Sequence, residues 1–285
     1  MKIDVLLNAG FTAPYFCPCP QATFIHDLQY KRHPEFFKPV DLLFWRLFVG
    51  FAIRRADSLL TISTETSKDV ELYYGRESIV APLGVEAAFF ELAKQREKRK
   101  STGQYILCVS TLHPHKNIEM LLRAYATFRN RHPEVKLVLA GMRGFHTETI
   151  ENLVGSLELR EHVRLTGWIP RDELFDLYAN ANCFVFPSLF EGFGIPLIEA
   201  MAAGIPSICA SIEPMSSNAG DAALKFEPND EEDLVSCLTI LTESRSVRSR
   251  LSAIGRERAR AFQWSKTASI THNALRGIYR RRSSS

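Results

Sequence analysis

The chain has 285 residues, 46% hydrophobic and 24% charged, with 35 Lys and Arg against 32 Asp and Glu and a net charge of +3. That length accommodates one large or two modest domains, and the composition is that of an ordinary globule, not of a disordered or fibrous chain. The near-balanced charge gives no reason to expect a nucleic-acid partner.

No run reaches the ~18 uncharged apolar residues of a membrane-spanning helix. The first residues lack the basic stretch, apolar stretch and small-residue cleavage site of a signal peptide. Cysteines stand at 17, 19, 108, 183, 209 and 237. Several fall in strand-like apolar runs, where a free thiol acts as a small buried hydrophobe. Only Cys17 and Cys19 are close-spaced, and neither a second cysteine pair nor a His pair completes a zinc site. A reducing cytoplasm and no metal are therefore expected.

In chain order, residues 4–8, 22–26, 58–63 and 79–82 read as strands, with helices over 40–56 and 64–74 between them. The helix over 40–56 is strongly apolar and ends in Arg54 and Arg55. Such a helix is buried against a parallel sheet, or else lies on a membrane surface. Residues 86–103 turn polar and charged and read as an exposed linker.

Six further strands are expected at 105–110, 136–140, 163–166, 183–186, 207–210 and 223–226. Helices are expected at 118–131, 148–155, 172–181, 196–203, 231–244 and 247–262. Alternating strands and helices indicate parallel α/β architecture. The division is a partial Rossmann-like domain over 1–85, the linker, a complete doubly wound domain over 104–263, and a terminal helix with a basic, solvated tail over 264–285. Ligands of such a domain lie beyond the carboxyl ends of its strands. Lys116, Arg143, the Gly167 turn and Gly192 all fall just after expected strands and should converge on one rim.

The stretch Glu191-Gly192-Phe193-Gly194-Ile195-Pro196-Leu197-Ile198-Glu199 follows the strand at 183–186 and opens the helix at 196–203. Proline suits a first helical turn and glycine the position past a helix end, here Gly204. Gly192 and Gly194 let bare backbone approach a ligand, and a helix N-terminus favours anions. Carboxylates beside a phosphate seat are better matched to ribose or hexose hydroxyls than to the phosphate itself. The stretch reads as a nucleotide-sugar site, with a structural strand–turn–helix corner as the plainer alternative. Lys116, at the end of a parallel strand and beside a helix start, suits a diphosphate; otherwise it is an exposed loop lysine. Arg143 is either a weaker cation of the same kind or merely solvated. His26 and Asp27 end a strand of the first domain, where His26 is either structural or faces a ligand.

Glu-Gly-Phe-Gly-Ile-Pro-x-x-Glu-Ala-Met-Ala-x-Gly, at 191–204, resembles the signature of retaining glycosyltransferases of the family 4 type, which have the GT-B fold. The resemblance implies that Glu199 holds the donor ribose and that Glu191 lies close to the transferred sugar. Backbone from Gly192 through Phe193 to Gly194, continuing into Ile195 and Leu197, approaches the sugar and diphosphate. Ser110-Thr-Leu-His-Pro-His-Lys116-Asn is similar to the family's donor-lysine motif, which often has Gly, Glu and Arg where this chain has Ser110, His113 and His115. The resemblance also places His26 near the donor sugar and the turn Gly167, Trp168, Ile169 against the nucleotide base. Glu191, Lys116 and His26 are thus the implied catalytic set. The implied reaction moves a hexosyl group from GDP-mannose or a UDP- or dTDP-sugar to a glycan, lipid-linked or polysaccharide acceptor. It proceeds with retention on one face of the sugar, the leaving phosphate helping to activate the acceptor, and requires no metal or other cofactor.

The run Phe24-Ile-His-Asp-Leu-Gln, with His33-Pro34-Glu35 and Pro82-Leu-Gly-Val, resembles only the second half of a GT-B amino-terminal domain. The family's opening strand and Gly-rich loop have no counterpart. The expectation is a chain shorter than a typical member, and a second reading follows from it: a catalytically weak or inactive nucleotide-binding remnant. A nucleotide-sugar epimerase of the same form ranks third, and a dehydrogenase last, since no Gly-x-Gly-x-x-Gly turn follows the first strand of either domain.

Overall fold

The computed structural model describes residues 3–98 and 104–283, which divide into two compact units. The first comprises Met1–Gly84, Glu191–Phe193 and Phe262–Ser285; the second comprises Val85–Phe190 and Gly194–Ala261.

In the first unit β1 (Leu6–Asn8), β2 (Gln21–Ile25), β3 (Ser58–Thr61) and β4 (Ile79–Val80) form a parallel sheet in that order. Between β2 and β3 run a single turn, α1 (Gln29–Arg32), and the long α2 (Pro39–Arg55); α3 (Thr64–Tyr74) joins β3 to β4. The ends of α3 follow from its caps. Ser63 Oγ accepts from Thr66 N at 3.1 Å, and Gly75, at φ +61°, closes the helix in the left-handed conformation that glycine adopts without strain. The core of this unit gathers Ile25, Leu28, Val49, Ile53, Leu59 and Val70, with Trp45 and Phe37 packed against it.

α2 is buried on one face only. Val49, Ala52 and Ile53 are fully enclosed, whereas Val40, Leu43, Phe44, Leu47 and Phe48 are each more than half exposed. Its sequence offers no polar face to turn outward, so packing against the sheet leaves an apolar face in solvent.

The second unit opens with α4 (Ala87–Lys98). Residues 86–98 are therefore not the exposed linker that their charge suggested: Phe89, Leu92 and Ala93, spaced three and four apart, form a buried stripe. The remainder of that segment, 99–103, lies outside the described residues. There follow β5 (Tyr105–Val109), α5 (Ile118–Arg129), β6 (Lys136–Ala140), α6 (Thr147–Ser156), β7 (Val163–Gly167), α7 (Arg171–Asn180), β8 (Cys183–Phe186), α8 (Ile195–Ala202) and β9 (Ser207–Ala210). A short α9 (Met215–Ala219), β10 (Ala223–Phe226), α10 (Glu231–Glu243) and α11 (Arg245–Ala259) complete it. The six strands are parallel in the order β10-β9-β8-β5-β6-β7. Cys108, Cys183, Cys209 and Cys237 are buried, and burial pushes the thiols of Cys183, Cys209 and Cys237 up to about 12.

The last helix, α12 (Trp264–Ser283), belongs to the first unit, where Ala274 and Ile278 are buried. The tail expected to be loose from Arg280 onward is helical to Ser283; Ser284 and Ser285 lie outside the described residues. Among the described residues no helix is long and apolar enough to cross a membrane.

Candidate active site

In the second unit the strand order reverses between β5 and β8. The chain builds outward from β5 through β6 and β7, then returns to the other side of β5 with β8 and continues through β9 and β10. A parallel sheet opens a crevice beyond the carboxyl ends of its strands at such a switch point. Lys116 follows β5 and α8 follows β8, so these two elements flank that crevice.

The loops beyond the carboxyl ends are fastened to one another. Ser110 N donates to Ala140 O at 2.8 Å, Gly141 N to Gly167 O at 3.3 Å, and Leu189 N to His115 O at 2.7 Å. Gly141, at φ +149°, cannot carry a side chain, because a Cβ there would stand 2.1 Å from Ser110 O. The loops after β5, β6, β7 and β8 thus form one connected rim.

Lys116 ends a 3-10 turn, Pro114–Lys116, and its Nζ lies 5.8 Å from the centroid of the Phe186 ring at the end of β8. Asn117 turns the chain into α5 at φ +55°, a conformation asparagine tolerates, and its Nδ2 donates to Pro228 O at 2.9 Å. His113 packs 4.3 Å from the Phe145 ring and stacks 5.9 Å from His115. Burial first, then the charges of Lys116 and His146, lower the pKa of His113 and favour its neutral form.

α8 starts from Gly194 at φ +86°, with Pro196 in its first turn. Leu197 is fully buried, and its N–H is taken by Gly194 O at 3.1 Å. Leu197 therefore anchors the helix in the core. Glu199, one turn in, is half-buried, and its Oε2 accepts from Tyr178 Oη at 2.9 Å. Desolvation raises the Glu199 carboxyl to about 7 against the lowering effect of that bond. Tyr178 is completely buried and its own pKa is driven up, first by burial and then by the Glu199 charge. Tyr178 is not among the site residues expected from the sequence. The available signal was a tyrosine on the apolar stripe of the helix at 172–181, since a buried phenol needs a partner.

The other expected residues are more scattered in character. Ser110 is half-buried on the rim. Arg143 is exposed and its guanidinium pairs with Glu151 of α6. Gly167 ends β7 at φ +66°, Trp168 is 72% exposed, and Ile169 is half-buried beside it.

Glu191, Gly192 and Phe193 cluster with the first unit. A Cβ at Gly192 would stand 2.6 Å from His26 O, so only glycine lets this backbone rest on the His26 peptide. Phe193 is buried and meets Phe262 edge-on at 5.8 Å. The His26 imidazole bonds to Ala9 O through Nε2 at 2.8 Å and lies 5.2 Å from the Phe11 ring. Glu191 is half-buried. Among the described residues no three His, Cys, Asp or Glu side chains are grouped to hold a metal ion.

The family described as Glycosyl transferases group 1 matches residues 89–258, more than half of the chain. The O-antigen chain mannosyltransferase B of Escherichia coli is 35% identical over 176 residues, 60% of this chain and 45% of that protein. The chain thus spans less than half the length of that relative. Among solved structures, sucrose-phosphate synthase from Thermosynechococcus elongatus aligns with a TM-score of 0.76 at 22% identity, covering 92% of this chain and 69% of the other. Anabaena HepE in complex with UDP and glucose aligns with a TM-score of 0.74 at 19% identity, covering 91% and 71%.

Proposed function

From the premise that this chain belongs to the group 1 glycosyl transferases and has the GT-B type of fold, we propose that it carries the donor site of a retaining hexosyltransferase. The donor is a nucleoside-diphosphate sugar, with GDP-mannose first and UDP- or dTDP-sugars as alternatives. The acceptor is a glycan, lipid-linked or polysaccharide hydroxyl. Similarity to an O-antigen mannosyltransferase supports the choice of mannose. The observation that carries the donor site is the placement of Lys116 and of α8, with Glu199, on either side of the β5/β8 switch point.

In this reading Glu199 accepts from the ribose hydroxyls, and Tyr178, bonded to its other side, fixes the carboxylate. Lys116 and the backbone at the start of α8 meet the diphosphate as negative charge grows on it. Preorganised groups of this kind contribute several kcal/mol to the transition state. The bond from the anomeric carbon to the diphosphate breaks, and an acceptor oxygen attacks from the same face. The departing phosphate oxygen takes the acceptor proton. Glu191 and His26 are assigned to the sugar by resemblance, and Ser110, Arg143 and the turn Gly167, Trp168, Ile169 to the diphosphate and base side. The leaving charge is met by Lys116 and the helix, with no metal ion required.

Calorimetric titration of GDP, UDP and dTDP into wild type, Glu199→Ala and Lys116→Ala tests the site. Each substitution should cost about 1.5 to 3 kcal/mol of nucleotide affinity. Equal affinity in all three proteins would remove these residues from the donor site. The second reading is a nucleotide-binding chain without transfer. It predicts the same titrations and no sugar transfer to any acceptor.

For the first unit we propose contact with an anionic bilayer surface through the outer face of α2, where a lipid-linked acceptor would be met. Arg46 and Arg54 of the same helix stand close enough to Lys31 that, after burial, they help to lower its pKa. Acidic headgroups would relieve that repulsion, at ~1 kcal/mol per basic residue.

A further inference from the structure

At the opposite pole of the second unit, near the amino ends of β8 and β9, α4 and α11 line a cavity of about 200 Å³ that is open to solvent. Its walls carry three arginines. Arg96 comes from α4, Arg248 and Arg256 from α11, and Asn182 and Ser249 add neutral polar groups. The spacing on α11 explains the arrangement: positions 248, 252 and 256 recur every four residues and face one side.

The guanidiniums are held in place. Arg96 Nη1 donates to the carbonyls of Tyr178, Ala179 and Ala181 at 3.1, 2.9 and 2.8 Å, closing the end of α7. Arg248 Nη1 donates to Leu241 O and Thr242 O, each at 2.6 Å, closing the end of α10. The helix-end carbonyls offset part of this positive charge, but among the described residues the cavity has only one carboxylate on its wall, that of Glu97, which pairs with Arg256. Arg256 Nε is buried and has no hydrogen-bond partner among the described residues. A buried donor on a cationic side chain is costly to leave unpaired.

We propose that this cavity is a binding site for a small phosphate-bearing anion, separate from the donor crevice. Fixed, planar guanidinium donors match the oxygens of a phosphate better than any neutral ligand. At ~30 Å³ of liquid volume per water, the space corresponds to about seven waters. That is room for a phosphate group with a short stem, and less than the ~300 Å³ at which pockets for larger organic ligands begin. The anion competes with Glu97 for the Arg256 guanidinium. Glu97 is accordingly a built-in counter-ion whose removal should favour the ligand.

The inference does not depend on the proposed transferase reaction. Its test is calorimetric titration of inorganic phosphate into the full chain at constant ionic strength. The proteins are wild type, Lys116→Ala, Arg256→Gln and Glu97→Gln, each checked for folding by circular dichroism. Expected is saturable binding that survives Lys116→Ala, weakens about tenfold or more in Arg256→Gln, and tightens severalfold in Glu97→Gln. The tightening matters most, because an unfolded variant cannot produce it. Absence of saturable binding would overturn the proposal. So would its loss in Lys116→Ala, which would put the phosphate at the donor loop, or indifference to both Arg256→Gln and Glu97→Gln.

Discussion

α2 of the first unit and α5 of the second occupy equivalent places, each connecting parallel strands, yet they meet solvent differently. α5 buries Leu121, Leu122, Tyr125 and Phe128, and turns Glu119 and Arg123 outward as an i,i+4 pair at 3.6 Å. α2 buries Val49, Ala52 and Ile53 but turns Leu43, Phe44, Leu47 and Phe48 outward, and the rings of Phe44 and Phe48 stack at 5.7 Å. Tyr15 and Phe16 extend that surface, Tyr15 stacking on Phe51 at 4.9 Å. The lesson is that an apolar helix in an α/β fold need not be a buried one. Periodicity marks the packed side only where the other side is polar.

The contrast can be broken most forcefully from the α5 side. Leu122→Ala removes a fully buried side chain and should cost about 2 to 5 kcal/mol of stability in denaturant titrations. A cost below about 1 kcal/mol would mean that α5 is less tightly packed than its burial indicates.

A smaller effect, with a size that depends on pH, comes from the half-buried Glu199 carboxyl of the second unit. Glu199 has its folded pKa raised from the ordinary 4.5 to about 7. The folded state therefore binds the proton more tightly than the unfolded chain does. The fold bears no charge penalty below pH 4.5, and a penalty grows as pH rises toward and through 7. In the absence of nucleotide, Glu199→Gln should match wild type in stability near pH 4.5 and exceed it by ~1–3 kcal/mol at pH 8. Parallel pH profiles for the two proteins would show that the carboxylate stays ionised without cost.

On the α2 side the readout is partition, not folding. Phe44→Asp with Phe48→Asp should reduce sedimentation with phosphatidylserine-containing vesicles about tenfold. Unchanged partition would leave the outer face of α2 without a role at bilayers. The smallest effect sharpens the comparison with Leu122: Leu47→Ala, at a 59% exposed position, should change stability by no more than about 0.5 kcal/mol.

Much of the second unit was legible as sequence. The strands Lys136–Ala140, Cys183–Phe186, Ser207–Ala210 and Ala223–Phe226 fall where the apolar runs ended on turn residues, because alternation and punctuation are local properties. α3 was legible for the same reason, with Ser63 and Gly75 marking its ends. α4 is masked in the sequence because its charged face outweighs the short stripe of Phe89, Leu92 and Ala93. α9 was passed over, since five residues give too little pattern to reveal a helix.

Sequence by itself named Lys116, Gly192, Gly194 and Glu199, since glycine, proline and charge at fixed spacing are properties of the chain alone. Tertiary structure decided what surrounds them. The β5/β8 reversal that gives Lys116 and α8 a common crevice is a relation between strands far apart in sequence. The Tyr178 bond that holds Glu199 depends on how the sheet seats two helices on either side of β8 in the chain. The Arg96, Arg248 and Arg256 cavity arises from the packing of α4 and α11, whose residues lie in separate charged segments. Local propensity fixes what each segment can become, but only packing fixes which side chains meet, because contact energies act across space and not along the chain.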